Sequence, residues 1–169
     1  MARILSYQYF TTGRVRISGL SDSDSNLSGV SDSKTSLLNS YIDATEKQIL
    51  KQFLGDDLYD AFIEGLDTDP VPARWTSLKN QLIDSTNYTS PLTAFVFFKW
   101  MRDHTTNNIE DGQFTKEGYS INESMLIDLW NEAVDDMEDV FDWLVDNNAD
   151  YPEWEGGDFP LNKMYSCGL

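Results

Sequence analysis

The sequence predicts an all-α protein: a compact bundle of about five helices with a short β-like N-terminal arm and an extended C-terminal tail. Apolar residues recur at three- and four-residue steps from residue 40 onwards, which is the period of an amphipathic helix. Gly and Pro residues separate these apolar segments at short intervals. At 169 residues, with 40% hydrophobic and 13% aromatic side chains, the chain is long and apolar enough to bury one core.

Residues 1–17 are predicted to form the β-like arm. Their apolar side chains, including Tyr7, Tyr9 and Phe10, alternate roughly with polar ones, and Gly13 suits a turn between two strands. Because an isolated hairpin is only marginally stable in water, we expect this arm to lie against something else.

Residues 18–39 are predicted to be a linker, because Ser, Asp and Gly dominate this stretch up to residue 35 and bury little surface. The first helix is predicted to begin at Ser40, a good N-cap residue, and to end before Gly55. The helix is expected to leave three charged side chains outside its apolar stripe: Glu46, Lys47 and Lys51.

Two short helices are predicted next. Asp56 is expected to cap a helix over residues 57–66. Pro72 suits the first turn of a third helix, whose apolar side chains from Trp75 to Ile83 follow helical spacing.

A fourth helix is predicted over residues 92–103, after Ser90-Pro91. It is apolar on nearly every side, which indicates the buried centre of the bundle. The polar stretch 105–120 is predicted to be an exposed loop or hairpin. A fifth and longest helix over 122–147 completes the bundle, which we expect to occupy residues 40–148.

The last two features are an acidic helix face and an apolar tail. The outer face of the fifth helix carries five carboxylates of particular interest: Asp128, Glu132, Asp135, Asp139 and Asp142. The tail, residues 149–169, is too rich in Pro and Gly for a regular element, yet it carries large apolar groups: Trp154, Phe159, Leu161, Met164 and Tyr165.

The charge balance excludes several classes of partner. Twelve Lys and Arg residues against 29 Asp and Glu residues leave a formal charge of −17. Such a surface repels the phosphates of DNA, RNA and anionic membranes. The single cysteine, Cys167, permits no internal disulfide framework and favours a reducing compartment such as the cytoplasm. The sequence shows neither a signal peptide in residues 1–10 nor a membrane span, so we expect a soluble protein.

Nothing in the sequence predicts an enzyme, a metal site or a cofactor. The phosphate-binding, nucleophile and zinc motifs are absent. Asp22, Asp24 and Asn26 resemble the start of a calcium loop, but Leu27 stands where the loop needs Gly. The numerous carboxylates are interpreted chiefly as a solvated helix face. A hydrolase would require two converging, buried carboxylates.

The stretch Tyr41-Ile-Asp-Ala-Thr-Glu-Lys-Gln-Ile-Leu-Lys-Gln-Phe-Leu-Gly-Asp-Asp-Leu-Tyr-Asp-Ala-Phe62 resembles the head-to-tail connector (adaptor) proteins of tailed bacteriophages. In that family a helix ending in Leu-Gly leads into a helix beginning with Leu-Tyr. The order of the aromatic helix, the Asp111-Gly112 loop and a long closing helix with Trp130 also fits. The resemblance spans about residues 40–147 and suggests a crAss-like phage as the source.

The resemblance implies a structural virion protein at the head-tail interface, assembled in the host cytoplasm. Such proteins form a ring of about twelve copies under the portal protein, with further tail or ring proteins beyond. DNA passes through the ring without specific binding. By this analogy the five apolar residues of the tail are expected to dock on the portal, and Tyr7, Tyr9 and Phe10 to contact an adjacent subunit or the next ring.

The acidic face of the fifth helix is expected to line the channel, where it would repel passing DNA. An alternative hypothesis is an acidic DNA mimic that inhibits a nucleic-acid-binding host protein, because the charge of −17 fits such a role as well. Mimicry, however, explains neither the arm nor the tail.

Overall fold

The computed structural model describes residues 3–20, 29–110 and 123–165. In order, the helices are α1 (Gly29–Leu54), α2 (Asp56–Leu66), α3 (Ala73–Leu82), α4 (Pro91–Glu110) and α5 (Glu123–Asp146), with short 3-10 turns at Tyr7–Phe10 and Asn148–Asp150. The all-α prediction is confirmed. Within the described ranges the only β pairing is an isolated antiparallel bridge between Asp84 and Thr89.

α1 begins at Gly29, so the predicted start at Ser40 is wrong and the second half of the predicted linker is helical. Leu38 lies on this early part of the helix and is completely buried, and its packing against the bundle stabilises the helical state of the polar stretch around it. Ser40 caps nothing, because its hydroxyl donates to the carbonyl of Ser36 one turn earlier. Residues 21–28 of the predicted linker lie outside the described ranges, as does the calcium-like sequence.

The junction between α1 and α2 is built on Gly55, as predicted. Its φ of 80° lies in the left-handed region that favours glycine, and its N–H donates to the carbonyl of Lys51 at 3.1 Å. Gly55 also takes the N-cap position of α2, so the predicted capping role of Asp56 is wrong. The carboxylate of Asp56 is instead paired with the Lys51 ammonium at 2.5 Å.

α4 is the central helix, as its composition predicts. It packs against both α1 and α5, and Phe95, Val96 and Phe97 are essentially inaccessible to solvent. α4 continues to Glu110, so residues 105–110 are helical and not part of a loop; extending a formed helix gains one hydrogen bond per residue even in a polar stretch. The rest of the predicted loop, 111–120, lies outside the described residues.

α2 and α3 pack closely through Gly65 and Trp75. A Cβ atom placed on Gly65 would lie 1.9 Å from the indole Nε1 of Trp75. Both residues are buried, so the glycine is required by packing even though it lies within a helix. Pro72 stands at the N-cap position of α3, which agrees with the predicted start of this helix.

The predicted strand pair in the N-terminal arm is wrong. Residues 3–20 contain a 3-10 turn at Tyr7–Phe10, and the N–H of Ile17 donates to the carbonyl of Phe10 at 2.8 Å. The apolar residues do not share one strand face; they are spread over several turns and buried against the helices. No helix of the described ranges has the length and apolar character needed to cross a membrane.

Candidate interaction surfaces

The N-terminal arm is held on α1 by a buried carboxylate, Glu46. The side chain accepts hydrogen bonds from the backbone N–H groups of Ile4 at 3.2 Å and Leu5 at 2.9 Å. Glu46 is only 6% exposed, and this burial raises the pKa of its carboxyl group above the ordinary value, although the two hydrogen bonds and nearby Arg3 oppose the rise. The prediction that Glu46 lies outside the apolar stripe is therefore wrong.

The residues of the arm that we expected to contact a neighbouring subunit are used within this chain. Tyr9 and Phe10 are 4% and 0% exposed and belong to the core, while Tyr7 is half-buried against it. At the edge of the arm, the Arg3 guanidinium pairs with Asp43 of α1 at 2.6 Å. The prediction that Tyr9 and Phe10 are available anchors for another protein is wrong, because their own bundle already covers them.

The C-terminal tail also folds back onto the bundle. Tyr151 is 2% exposed, and its hydroxyl donates to the carbonyl of Arg74 in α3 at 2.7 Å. The Arg74 guanidinium in turn makes two hydrogen bonds to the Glu153 carboxylate, at 2.8 and 3.1 Å, and stacks over Trp75 at 3.9 Å. This bidentate pairing lowers the pKa of the Glu153 carboxyl.

Three of the five predicted portal-docking residues pack against this chain's own bundle. Trp154 and Phe159 meet the ring of Phe141 edge to face, with ring centroids 5.5 and 5.6 Å apart. Leu161 is buried at 6% exposure. Leu161 is therefore covered by its own bundle, so its predicted availability as a docking anchor is wrong, whereas Trp154 and Phe159 are only partly buried and their docking role stays a prediction.

The end of the described tail runs along α5. Met164 is half-buried, and its backbone N–H and carbonyl both bond to the side-chain amide of Asn131, at 2.7 and 2.9 Å. The indole N–H of Trp130 donates to the carbonyl of Asn162 at 2.9 Å. Beyond this point Tyr165 is 83% exposed, so it alone of the five predicted docking residues presents its side chain openly to solvent.

The predicted acidic face of α5 is present as a continuous stripe. Its members are exposed and follow one another at steps of four and three residues, which places them on one side of the helix: Asp128, Glu132, Asp135, Asp139 and Asp142. We refer to these five residues as the α5 acidic stripe.

Both folded-back ends supply cations to this stripe. Arg14 of the arm pairs with Glu132 at 2.5 Å, and Lys163 of the tail pairs with Asp135 at 2.5 Å. Among the described residues no ion pair includes Asp128, Asp139 or Asp142. The stripe thus keeps unneutralised carboxylates at both of its ends.

The described residues contain no group of three or more His, Cys, Asp or Glu side chains that could hold a metal ion. His104, which the sequence places near the end of the core helix, stacks on Trp100 with ring centroids 3.9 Å apart. Its Nδ1 lies 2.8 Å from the carbonyl of Trp100. The histidine is therefore engaged in a packing contact within α4.

Comparison with known proteins finds no match among family models, curated proteins or solved structures.

Proposed function

We propose that this protein is a structural virion subunit, a head-to-tail connector (adaptor) that forms a ring of about twelve copies between the portal and the tail of a tailed bacteriophage. The ring surrounds the channel through which DNA leaves the head, and DNA passes without specific binding. The protein carries out no reaction and needs no cofactor. It is assembled in the host cytoplasm and then resides in the virion.

The observation that carries this proposal is the α5 acidic stripe. Among the described residues Asp128, Asp139 and Asp142 have no ion-pair partner, and each like-charged neighbour on the helix costs a few tenths of a kcal/mol, so these three carboxylates do not serve the stability of the single subunit. A channel wall that must not adhere to DNA is a place where such a row is useful. We therefore place Asp128, Asp139 and Asp142 toward the channel.

The segment that resembles the connector family supports the proposal through its local structure. α1 ends at Leu54, Gly55 makes the left-handed turn, and α2 follows at once. Leu58 and Tyr59, the Leu-Tyr pair of the resemblance, are both buried in the bundle. The short motifs behind the resemblance thus coincide with a real helix junction.

The folded-back ends change which surfaces remain for neighbours. Tyr165 is the portal contact in this proposal, because at 83% exposure it is the most exposed large apolar side chain in the described part of the tail. In this proposal, exposed apolar residues of the helices make the contacts between subunits. Two such residues are Leu37 on α1, at 46% exposure, and Val145 on α5, at 43%. A ring needs two different surfaces on each subunit, and these residues lie on different helices.

The same stripe also favours a second candidate, the acidic DNA mimic. Carboxylates from Asp128 to Asp142 extend over about 21 Å of helix, at 1.5 Å per residue, long enough to imitate several phosphates. A mimic would act alone or as a small oligomer on a basic host protein. It would have no need of a portal.

Native mass spectrometry of the full chain, with and without the portal ring of the same phage, distinguishes the two functions. The connector is expected to be monomeric or weakly associated alone and to add about twelve copies to each portal ring. A stable dimer that leaves the mass of the portal unchanged would contradict the connector and favour the mimic. Tyr165→Ala is expected to reduce portal binding, whereas Tyr88→Ala, which alters another exposed tyrosine, leaves it unchanged.

A further inference from the structure

The last described part of the tail is bound through its backbone by side chains of α1 and α5. Gln52 donates a hydrogen bond from its side-chain amide to the carbonyl of Pro160 at 3.0 Å. The indole N–H of Trp130 donates to the carbonyl two residues further along the tail, at 2.9 Å. The side-chain amide of Asn131 pairs with both the N–H and the carbonyl of Met164, at 2.7 and 2.9 Å. These side chains bind the backbone of every second residue, as a sheet edge binds an added peptide strand.

The side chains of the intervening residues contact the bundle. Phe159 meets the ring of Phe141 edge to face, Leu161 is buried, and Lys163 pairs with Asp135 at 2.5 Å. Backbone contacts that alternate with side-chain contacts have the period of two of an extended chain. We call residues 159–164 the strap, and we call the side chains that hold it the strap groove: Gln52, Phe53, Trp130, Asn131, Asp135 and Phe141.

The segment just before the strap, residues 155–158, does not pack on the bundle. All four residues are exposed, and no hydrogen bond or ion pair joins them to another residue of the described ranges. Gly156 and Gly157 have φ angles of 70° and 129°, which favour glycine, and a Cβ atom on either would meet nothing within 4 Å. A cleft of about 350 Å³ lies between this segment and the junction of α1 and α2. Residues 155–158 therefore form a hinge.

The part of the tail before the hinge has its own anchors. The Tyr151 hydroxyl donates to the carbonyl of Arg74, and the Arg74 guanidinium makes two hydrogen bonds to the Glu153 carboxylate. None of these contacts involves the strap. The strap can therefore leave its groove while the rest of the tail stays in place.

A second copy of this chain presents the same strap and the same groove. The contacts made between two copies would be identical to those made within one, so the two arrangements differ only in the hinge conformation and in the cost of bringing strap and groove together. A short flexible tether gives the strap an effective concentration in about the millimolar range. Exchange is therefore favoured where copies are held together at a comparable local concentration.

We propose that the strap of one copy binds in the strap groove of a second copy, in place of that copy's own strap. The groove recognises an extended segment with an aromatic, an aliphatic and a lysine side chain at alternate positions: Phe159, Leu161 and Lys163. Because each copy offers one strap and one groove, the exchange also joins more than two copies in one direction. It needs only a second copy of this chain, so it does not rest on the connector proposal.

The first test uses the isotope-labelled full chain and an unlabelled peptide with the sequence of residues 158–165. At about 5 mM, above the effective concentration of the tethered strap, the peptide should displace the strap. The methyl NMR signals of Leu161 and Met164 should then move to the positions of a free peptide, while the indole N–H signal of Trp130 stays in place.

The matched control is the same peptide methylated on the backbone nitrogen of the residue that corresponds to Met164. It lacks the N–H that the Asn131 side chain accepts and should displace the strap about five- to tenfold more weakly. Strap signals that do not move with the unmodified peptide would overturn the proposal. Equal displacement by the two peptides would overturn it as well.

The second test changes the hinge. Gly156→Pro together with Gly157→Pro removes both positive φ angles, because proline is fixed near about −65°. The strap then no longer returns to its own groove, so at about 100 µM sedimentation velocity should show a fraction of dimer and larger multimer at least about fivefold above that of the wild type.

Adding Leu161→Asp to the hinge variant is the control, because it puts a charge at the buried position of the strap and should restore the monomer. A hinge variant that keeps the helical circular dichroism of the wild type and stays monomeric would contradict the exchange. Association that persists undiminished with Leu161→Asp would also contradict it, since the strap would then not be the linking segment.

Discussion

The Glu46 carboxylate accepts a hydrogen bond from the backbone N–H of Leu5 at 2.9 Å, across 41 residues of sequence. It accepts a second from the N–H of Ile4 at 3.2 Å. The Glu46 carboxylate thus accepts two backbone hydrogen bonds of the arm that a neighbouring strand would otherwise accept. This contact fixes the N-terminal arm on α1.

Glu46→Ala is expected to lower the free energy of unfolding by about 2–4 kcal/mol, because it leaves two buried N–H groups without an acceptor. Glu64→Ala, at an exposed position of α2, is the matched control and should change stability by less than about 0.5 kcal/mol. Urea unfolding of both variants measures the difference. Equal effects would show that Glu46 does not hold the arm.

The raised pKa of Glu46 predicts a pH dependence of stability. Because the folded state binds the proton more tightly than the unfolded state, with its ordinary value of 4.5, the stabilisation is complete below that pH and is lost as pH rises through the folded pKa. Relative to Glu46→Gln, which does not titrate, the wild-type protein should lose stability over this interval. A carbon NMR titration of the Glu46 carboxyl tests the sign, and a midpoint below 4.5 would reverse it.

A chain shortened to end at Tyr151 is expected to be less stable by about 3–5 kcal/mol, because it uncovers the apolar surface that Trp154, Phe159 and Leu161 bury. A chain shortened to end at Tyr165 keeps these contacts and serves as the control. Thermal unfolding followed by circular dichroism compares the two. If the first truncation leaves the unfolding temperature unchanged, the tail is not part of the core.

For Gly65→Ala, helix propensity and packing predict changes of opposite sign in the free energy of unfolding. Alanine should stabilise a helix by about 1 kcal/mol over glycine. The new Cβ, however, would fall 1.9 Å from the Trp75 indole, so we expect a net loss of about 2 kcal/mol or more in the free energy of unfolding. A variant more stable than wild type would mean that the contact between α2 and α3 is looser than described.

The charge of the subunit predicts that assembly strengthens with salt. In the proposed ring, about twelve copies at −17 each would bring together about 200 negative charges, and raising NaCl from about 50 to about 500 mM would screen their repulsion. Sedimentation velocity should therefore show more multimer at high salt. Neutralising the five residues of the α5 acidic stripe to Asn or Gln should reduce this salt dependence. The same number of neutralisations on and after α2, at Asp57, Asp60, Glu64, Asp67 and Asp69, should reduce it less.

Helical periodicity was sufficient to predict the class and the centre of the fold. The buried aromatic run of α4 and the glycine junction after Leu54 both follow directly from residue type and spacing. Helix ends were less predictable. The polar residues at the start of α1 and the end of α4 have weak intrinsic preferences, and their helical state depends on tertiary contacts and on propagation from a formed helix.

The position of Glu46 could have been predicted from spacing alone. It lies four residues after Ile42 and three before Ile49, both buried, so it shares their face of α1. Because the side chain of Glu46 is charged, the sequence-based prediction puts it outside the apolar stripe of α1. The hydrogen bonds from the backbone N–H groups of Ile4 and Leu5 explain why a carboxylate is stable on the buried face. The packing of the arm and the tail could not be derived in this way, because apolar residues in irregular segments carry no period that indicates what covers them.

The most direct test of the connector proposal is a cryo-electron microscopy reconstruction of this protein bound to the portal ring. We expect a closed ring of about twelve subunits, with Asp128, Asp139 and Asp142 of α5 facing the central axis. A ring that carries these residues on its outer circumference, or a portal that binds no ring at all, would contradict the proposal.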